Sequence, residues 1–381
     1  MEGRAHVRAW QTCSILVACV ALLNLGPSAC LPEHERAFSN EGLLTAAAGD
    51  LKATVVTPHL EAPLAHSTNV LWCGTFQLVW NEICTLVGGD LHFTDDPPMV
   101  EPMNRKAFTR EDLDEASYVA LAGYVRDGIF DAIPKALQEK FGRRATPHYL
   151  PPPNVTPRPQ DIVGYAYLFK HLEFAVPFER LDERLDFSGL ALPAFGLGPY
   201  KRSQDRILPQ VLILDYVGPD DFIIELATKS KGDRLILAKV APGATLGKTV
   251  ADVQKRADAP ARTAAVPGDR LAAPLLNFDI TRTYDELYAA GTLVATNPDI
   301  AKDLWVLSAI QNVRFQMDER GVRLRSESHL ALGCSAHTEP QPQHVMIFNR
   351  PFLILLKRVG ARDPYFALWI DNAELLVREA E

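Results

Sequence analysis

Near its C-terminal end the chain reads Val313-Arg-Phe-Gln-Met-Asp-Glu-Arg-Gly321 and continues with Val322-Arg-Leu-Arg-Ser-Glu-Ser-His-Leu-Ala-Leu332. Apolar and polar side chains alternate on both sides of the glycine, which is typical of β-strands because successive side chains point to opposite faces. In the second run one face would be charged, and the other would carry Val322, Leu324, Ser326, Ser328, Leu330 and Leu332. The stretch therefore predicts two strands that meet at Gly321.

The residues that follow predict a loop and then a buried hairpin. Gly333-Cys-Ser-Ala-His-Thr-Glu-Pro-Gln-Pro-Gln343 has no periodicity, which is typical of a loop. Ile347-Phe-Asn-Arg-Pro-Phe-Leu-Ile-Leu-Leu-Lys357 and Tyr365-Phe-Ala-Leu-Trp-Ile370 are strongly apolar and indicate paired, buried strands. A long exposed loop near the C-terminus is therefore expected between two parts of a sheet.

Upstream, the pattern is first helical. Apolar residues at helical spacing predict helices over Asn69–Val87 and Thr109–Gly142. Thr109 with Asp112 three residues later favours a capped start, and Pro134 should kink or divide the second helix. The proline-rich run His148–Pro159 has too many missing donors for a helix or a central strand, so we expect an extended connector.

Strands dominate the remainder of the chain. They are predicted at Ile162–Phe169, Gln210–Tyr216, Phe222–Ala227, Arg234–Val240, Val313–Leu332, Val345–Lys357 and Tyr365–Ile370. Helices are expected between them, at Tyr284–Ala290 and Ile300–Ala309. Helices followed by strands with inserted helices favour one α+β domain over residues 67–381 rather than two tandem domains.

The N-terminal thirty residues predict an export signal. Arg4 and Arg8 precede the apolar run Ser14–Leu25, and small residues follow as far as Cys30, where cleavage is expected. The apolar run is shorter than the roughly 18 residues that span a bilayer, which disfavours the alternative of a membrane anchor. We expect a secreted or extracellular protein, or a periplasmic one or one lipid-anchored at Cys30 if the source is bacterial, with a polar linker over residues 31–66.

Composition narrows the classes of partner and cofactor. The net charge of −8 and the absence of a basic stripe interleaved with aromatics argue against nucleic acid as a partner. No Cys or His pair has zinc-like spacing, so no metal and no cofactor are expected. Cys73 and Cys84, if they share one helix, would be too far apart for a disulfide. Asn154-Val-Thr156 is a glycosylation triplet that has meaning only in a eukaryotic secretory pathway.

One stretch has the appearance of a phosphate-binding loop. Gly243-Ala-Thr-Leu-Gly-Lys248-Thr249 follows a strand but is one residue short, and Pro242 stands where the first glycine is needed. The alternative is a glycine-containing turn in which Thr245 or Thr249 caps a short helix, and the sequence favours it.

The order of these segments resembles that of the serpins, protease inhibitors that present an exposed reactive loop. Glu319-Arg-Gly321 is similar to the hinge that opens the family's loop, and Phe348-Asn-Arg-Pro-Phe352 is similar to the strand after it. Tyr165–Phe178 resembles the family's central-sheet strand, Val211–Leu226 a later hairpin, and Thr68–Gly74 the entry to its second helix. The resemblance extends from about residue 67 to residue 370.

The resemblance implies a mechanism and a set of site residues. A serine (or cysteine) protease would cleave the loop of a monomeric, non-enzymatic inhibitor, and the freed segment would enter the sheet as a new strand. The hinge would be formed by Glu319, Gly321, Val322 and Leu324, and the scissile region would be Gly333, Cys334, Ser335 and Ala336.

The sequence also departs from the family. Residues 31–66 show no convincing first helix, and inhibitory serpins have small residues after the hinge glycine where this chain has Leu324-Arg-Ser-Glu327. Bulky side chains would slow insertion, so a non-inhibitory serpin-fold binding protein remains an alternative. A nucleotide-binding enzyme that uses Lys248 is a third and weaker one.

Overall fold

The computed structural model describes residues 40–142, 156–259, 262–294, 304–323 and 343–378, together with positions 38, 145, 147, 150, 297 and 300. All of them belong to one compact unit, Pro32–Glu381. Strands β1 to β21 are, in chain order, Leu44–Ala47, Thr54–Thr57, Asn69–Cys73, Tyr118–Tyr124, Ile162–Leu168, His171–Glu173, Glu179–Arg180, Leu185–Phe187, Leu190–Leu192, Ala194–Leu197, Val211–Gly218, Asp221–Leu226, Asp233–Lys239, Thr263–Ala264, Arg270–Pro274, Leu276–Thr283, Ile310–Asp318, Gly321–Arg323, Val345–Ile347, Phe352–Arg358 and Phe366–Ile370. Helices α1 to α5 are Thr75–Val87, Val100–Asn104, Ile129–Phe141, Leu246–Ala257 and Asp285–Tyr288.

The largest sheet has eight strands in the order β14-β11-β12-β13-β20-β21-β3-β2. Both faces of its central strands are covered, and the apolar runs Leu353–Leu356 and Phe366–Ile370 are almost entirely buried. Helix α4 packs against β11, β12 and β21. The apolar runs that the sequence predicts as a buried hairpin thus form the middle of this sheet.

A second sheet has five strands in the order β1-β16-β17-β18-β6. Strands β16 and β17 are its longest pair, from Leu276↔Met317 to Thr283↔Ile310. Strands β4 and β5 form a separate antiparallel ribbon, Tyr118↔Leu168 to Tyr124↔Ile162. A third sheet, β19-β15-β10-β7, and the hairpin β8-β9 complete the α+β architecture that the sequence predicts.

Part of the segment that the sequence assigns to a linker is strand. Strand β1 pairs in parallel with β16 (Leu44↔Phe278), and β2 pairs in parallel with β3 (Thr54↔Asn69). The prediction of a linker is wrong for these residues, because the two strands satisfy the open edges of two different sheets.

Two helix predictions in the N-terminal half of the chain require correction. Asn69–Cys73 is a fully buried strand between β2 and β21, and helix α1 begins only at Thr75. Thr109 and Asp112 do form a capping box, but on a single 3-10 turn. Strand β4 follows that turn, and α3 begins at Ile129 and contains Pro134. Sheet pairing over long sequence distances overrides the local helical period here.

Two further predictions need smaller corrections. Residues 304–309 are not helical, and Trp305 forms an isolated bridge with Thr292 instead. The strand predicted over Val345–Lys357 is interrupted at 348–351, so β19 and β20 join different sheets. The described part of the proline-rich connector, residues 156–159, has no regular structure, as expected. None of the helices in the described ranges is long and apolar enough to cross a membrane.

Candidate functional site

The predicted hinge is a tight turn between β17 and β18. Strand β17 ends at Asp318, Glu319 and Arg320 form the turn, and β18 begins at Gly321. The two strands pair antiparallel from Asp318↔Gly321 to Gln316↔Arg323. The glycine thus marks the start of a strand that folds back along β17, as the alternation predicts.

Strand β18 lies inside the sheet and not at its edge. Its other side pairs with β6, from Gly321↔Glu173 to Arg323↔His171. Val322 is 1% exposed and stands between Leu172 and Met317, both buried. The first residues after the hinge turn are therefore already a central strand.

Gly321 is required by its position. Its φ of +148° lies in a region that side chains disfavour. A Cβ on this residue would lie 2.3 Å from the carbonyl oxygen of Leu172 and 2.9 Å from the Cα of Glu173. Only glycine lets β18 approach the backbone of β6 this closely, which accounts for the Glu-x-Gly pattern physically.

Backbone hydrogen bonds hold the turn in place. The amide of Phe178 donates to the carbonyl oxygen of Glu319 at 2.7 Å, and the amide of Phe174 donates to that of Arg320 at 2.8 Å. The carboxylate of Asp318 accepts from the Arg320 amide at 2.8 Å. The chain that follows β6 thus secures both residues of the turn.

A charged cluster ties the turn to the N-terminal segment. Arg180 of β7 donates from Nε to Glu319 Oε2 at 3.0 Å, and its two terminal nitrogens donate to Glu41 at 2.7 and 3.0 Å. The hydrogen bond from Arg180 lowers the pKa of Glu41, and the two carboxylates raise the pKa of Arg180. Arg320 Nε lies 3.3 Å from Glu319 as well. We call Glu41, Arg180 and Glu319 the hinge clamp.

Beyond β18 the sheet opens into an apolar groove. Residues 310–315 of β17 pair with β16, and β5 pairs with β4. A cavity of about 420 Å³ lies between β17 and β5. Its lining includes residues 162–169 of β5 and beyond, residues 304–315, and Phe76, Val79, Trp80 and Ile83 of α1. We call this cavity the sheet groove.

The structure brings together some of the predicted site residues. Glu319 lies in the turn and Gly321 and Val322 begin β18, whereas Leu324 and the predicted scissile residues Gly333, Cys334, Ser335 and Ala336 lie outside the described residues. Sequence reasoning missed Arg180 and Glu41. They are 139 residues apart, and Arg180 is also 139 residues from Glu319, so no local pattern could indicate the clamp.

The enzyme-like stretch is structural. The Thr245 side chain caps α4 by accepting from the Lys248 amide, and Lys248 forms an ion pair with Asp252. The Thr249 hydroxyl accepts from the Gly243 amide. The capping alternative is confirmed, because the groups that would hold a phosphate are engaged within the chain.

The described residues include two buried cysteines and many acidic side chains, which are possible metal ligands. Cys73 lies in β3 and Cys84 in α1, so the assumption that they share one helix is wrong. Both cysteines are free thiols, and burial raises the pKa of each. Among the described residues, no group of three His, Cys, Asp or Glu side chains could hold a metal ion.

Comparison with known proteins finds similar structures only. No protein-family model matches the chain, and no curated protein matches its sequence. Serpin48, a highly specific serpin of the insect Tenebrio molitor, matches with a TM-score of 0.44 and 12% identity over 79% of this chain and 91% of its own. Thyroxine-binding globulin in complex with thyroxine matches with a TM-score of 0.40 and 12% identity over 78% of this chain and 89% of its own. Human thyroxine-binding globulin matches with a TM-score of 0.37 and 13% identity over 65% of this chain and 64% of its own. All three structures match at low sequence identity.

Proposed function

We propose that the chain is a secreted serpin-type protease inhibitor that acts by loop cleavage and strand insertion. A serine (or cysteine) protease cleaves the segment 324–342 within Gly333–Ala336, and the freed residues from Leu324 onward enter the sheet groove between β5 and β17. The chain is then a protease ligand and not an enzyme, and it acts as a monomer without a cofactor.

The position of β18 carries this proposal. A segment that can enter the middle of a sheet needs a fixed start and a path between two strands. Gly321–Arg323 supply the start between β17 and β6, and the sheet groove lies directly along the strand direction. New hydrogen bonds on both edges would then stabilise the extended strand, as in other cases of strand addition.

The register of β18 predicts where the following residues would go. Continued along β17, it brings Leu324 opposite Phe315, Ser326 opposite Val313 and Ser328 opposite Gln311. All three residues of β17 are buried. Alternation therefore sends the apolar and small side chains inward.

The same register sends the charged side chains outward. Arg325, Glu327 and His329 share the outer face, where water solvates them, so insertion leaves no charge buried. Continued along β5, the register places Leu330 opposite Gly164, against which Val79 and Ile83 of α1 pack closely. The inserted strand is therefore thermodynamically acceptable.

The alternative is a non-inhibitory serpin-fold binding protein whose loop stays fixed. The bulk of Leu324, Arg325 and Glu327 favours it, because the segment must enter faster than the acyl bond to the protease hydrolyses. The hinge clamp favours it as well, since Arg180 restrains the turn at which movement would begin.

Export also belongs to the proposal. An N-terminal signal over residues 1–30 would deliver the chain to the extracellular space, where a protease partner is available, or to the periplasm or a lipid anchor at Cys30 in a bacterium.

Incubation with a panel of serine and cysteine proteases tests the proposal. An SDS-resistant complex of chain and protease is expected, with the cut located in Gly333–Ala336 by mass spectrometry. Leu324→Glu should convert the inhibitor into a substrate, because the register of β18 sends this side chain inward, opposite the buried Phe315, where a carboxylate is unfavourable. Val359→Glu is the matched control, since Val359 is 50% exposed. Clean loop cleavage of the parent chain without a complex would establish the alternative.

A further inference from the structure

One aromatic side chain of the N-terminal segment reaches the sheet groove. Phe38 contributes to the lining of the groove, together with residues 304–315. The centre of its ring lies 4.4 Å from Cζ of Arg314 in β17. The contact between a guanidinium and an aromatic face is attractive. Phe38 therefore packs on one wall of the path that the released segment would take.

A chain of hydrogen bonds leads from Arg314 back to the N-terminal segment. Arg314 Nη1 donates to Asn277 Oδ1 of β16 at 2.8 Å, and Asn277 Nδ2 donates to the carbonyl oxygen of Glu41 at 2.7 Å. Burial lowers the pKa of Arg314, as expected for a guanidinium that its neighbours cover. Two routes thus connect Arg314 to the N-terminal segment, one through the ring of Phe38 and one through Asn277.

The residues that follow Phe38 are fixed to the sheet. Residues 44–47 form β1 and pair with β16, and Glu41 belongs to the hinge clamp. Gly42 has a φ of +62°, and a Cβ on this residue would collide with the side chain of Val377. We call Phe38 together with residues 40–47 the N-terminal strap. Because β16 lies between β1 and β17, the strap spans β16.

The register of β18 brings Arg325 to the same place. Continued along β17, the register sets Arg325 opposite Arg314. The Cβ atoms of residues directly opposite in an antiparallel pair are about 4.5 to 5.5 Å apart, and two like charges in such a pair are unfavourable. Arg325 thus has to enter beside a guanidinium on which Phe38 already packs, and the two side chains compete for the same space.

We propose that the N-terminal strap is an autoinhibitory element that slows the entry of residues 324–332 into the sheet groove. While Phe38 packs on Arg314, its ring stands where Arg325 has to enter, and once the ring moves away the strand can pair along β17. Strand β1 and the hinge clamp stay closed in this step, because the displaced contact is that of Phe38 alone. This inference rests on the proposed function and adds a regulatory step to it.

A fluorescent peptide with the sequence of residues 324–332 tests the strap on the full-length chain without any protease. Fluorescence anisotropy measures the rate at which the chain incorporates the peptide. Phe38→Ala should raise this rate about two- to fivefold, because it removes one contact between an aromatic ring and a guanidinium. Phe38→Tyr keeps the ring, so it is the matched control and should incorporate the peptide at the parent rate.

A second set of variants shows whether the ring acts through Arg314. Arg314→Met removes the guanidinium, and in that background Phe38→Ala should have no further effect on the rate. Equal rates for the parent chain and Phe38→Ala would overturn this inference alone, as would the same acceleration by Phe38→Ala with and without Arg314. No incorporation of the peptide by any variant would overturn the proposed entry of a strand into the groove and, with it, the autoinhibitory role of the strap.

Discussion

Arg180 donates a hydrogen bond of 3.0 Å to the carboxylate of Glu319, and this contact joins the four-stranded sheet to the turn from which β18 starts. Arg180 also holds Glu41, so one guanidinium connects the N-terminal segment, strand β7 and the hinge. In the proposed mechanism, these residues stay in place while the following segment moves. We therefore expect the hinge clamp to set both stability and the rate of insertion.

Removal of the cation should loosen the hinge. Arg180→Met is expected to lower the free energy of unfolding by about 2 kcal/mol, because it takes a charged hydrogen bond from a largely buried carboxylate. Denaturant titration measures this change. Glu41→Gln should cost less than about 1 kcal/mol, since the Glu41 side chain is 59% exposed. Equal losses of unfolding free energy in the two variants would show that the contact with Glu319 does not contribute more to stability than the contact with Glu41.

The hinge glycine should tolerate no side chain. Gly321→Ala is expected to cost about 2 kcal/mol or more, because Cβ would meet the backbone of Leu172 and the φ of +148° becomes strained. Gly232→Ala is the control, since a Cβ there has no neighbour within 4 Å. Thermal and denaturant unfolding of both variants measure the difference. A Gly321→Ala variant as stable as Gly232→Ala would refute the close approach of β18 to β6.

Acid should weaken the clamp. The hydrogen bond from Arg180, followed by the charges of Arg180 and Arg320, holds the pKa of Glu41 below its ordinary value of 4.5. A lowered folded-state pKa means that this stabilisation is complete above pH 4.5 and is lost as the pH falls through the lower folded value. Unfolding free energies between pH 7 and pH 3 should therefore fall more steeply for the parent chain than for Glu41→Gln. Parallel pH curves would contradict this role of Glu41.

The bulk of the segment after the hinge should limit trapping. Simultaneous replacement of Leu324, Arg325 and Glu327 by alanine is expected to raise the fraction of protease trapped, because smaller side chains enter the groove faster. The yield of SDS-resistant complex per cleavage event measures this fraction. An unchanged yield would remove side-chain bulk as the obstacle.

The parts of the fold that were predictable are those with a local signature. Alternation around Gly321 indicates the two strands β17 and β18, and the apolar runs indicate β20 and β21. The N-terminal strands could not be inferred, because β1 depends on β16, more than 200 residues away, and a short strand has little pattern of its own. The helical spacing of Asn69–Cys73 gave a wrong element for the same reason, since pairing with β21 decides its conformation.

The candidate site shows the same division. Glu319, Gly321 and Val322 follow from sequence order, whereas the sheet groove and the clamp exist only once β5, β7 and β17 are assembled. The alternation of apolar and polar residues predicts which side chains of a strand point to the core, but it does not predict which strand pairs with it.

The melting temperature of the chain cut within Gly333–Ala336 tests most directly whether the sheet groove receives the released segment. Burial of Leu324, Leu330 and Leu332 with new pairing on both edges should raise it by about 5 to 10 °C over the intact chain. Leu324→Glu, cut in the same way, should show no rise, because its carboxylate would have to enter opposite the buried Phe315. An unchanged or lower melting temperature of the cut parent chain would contradict the account.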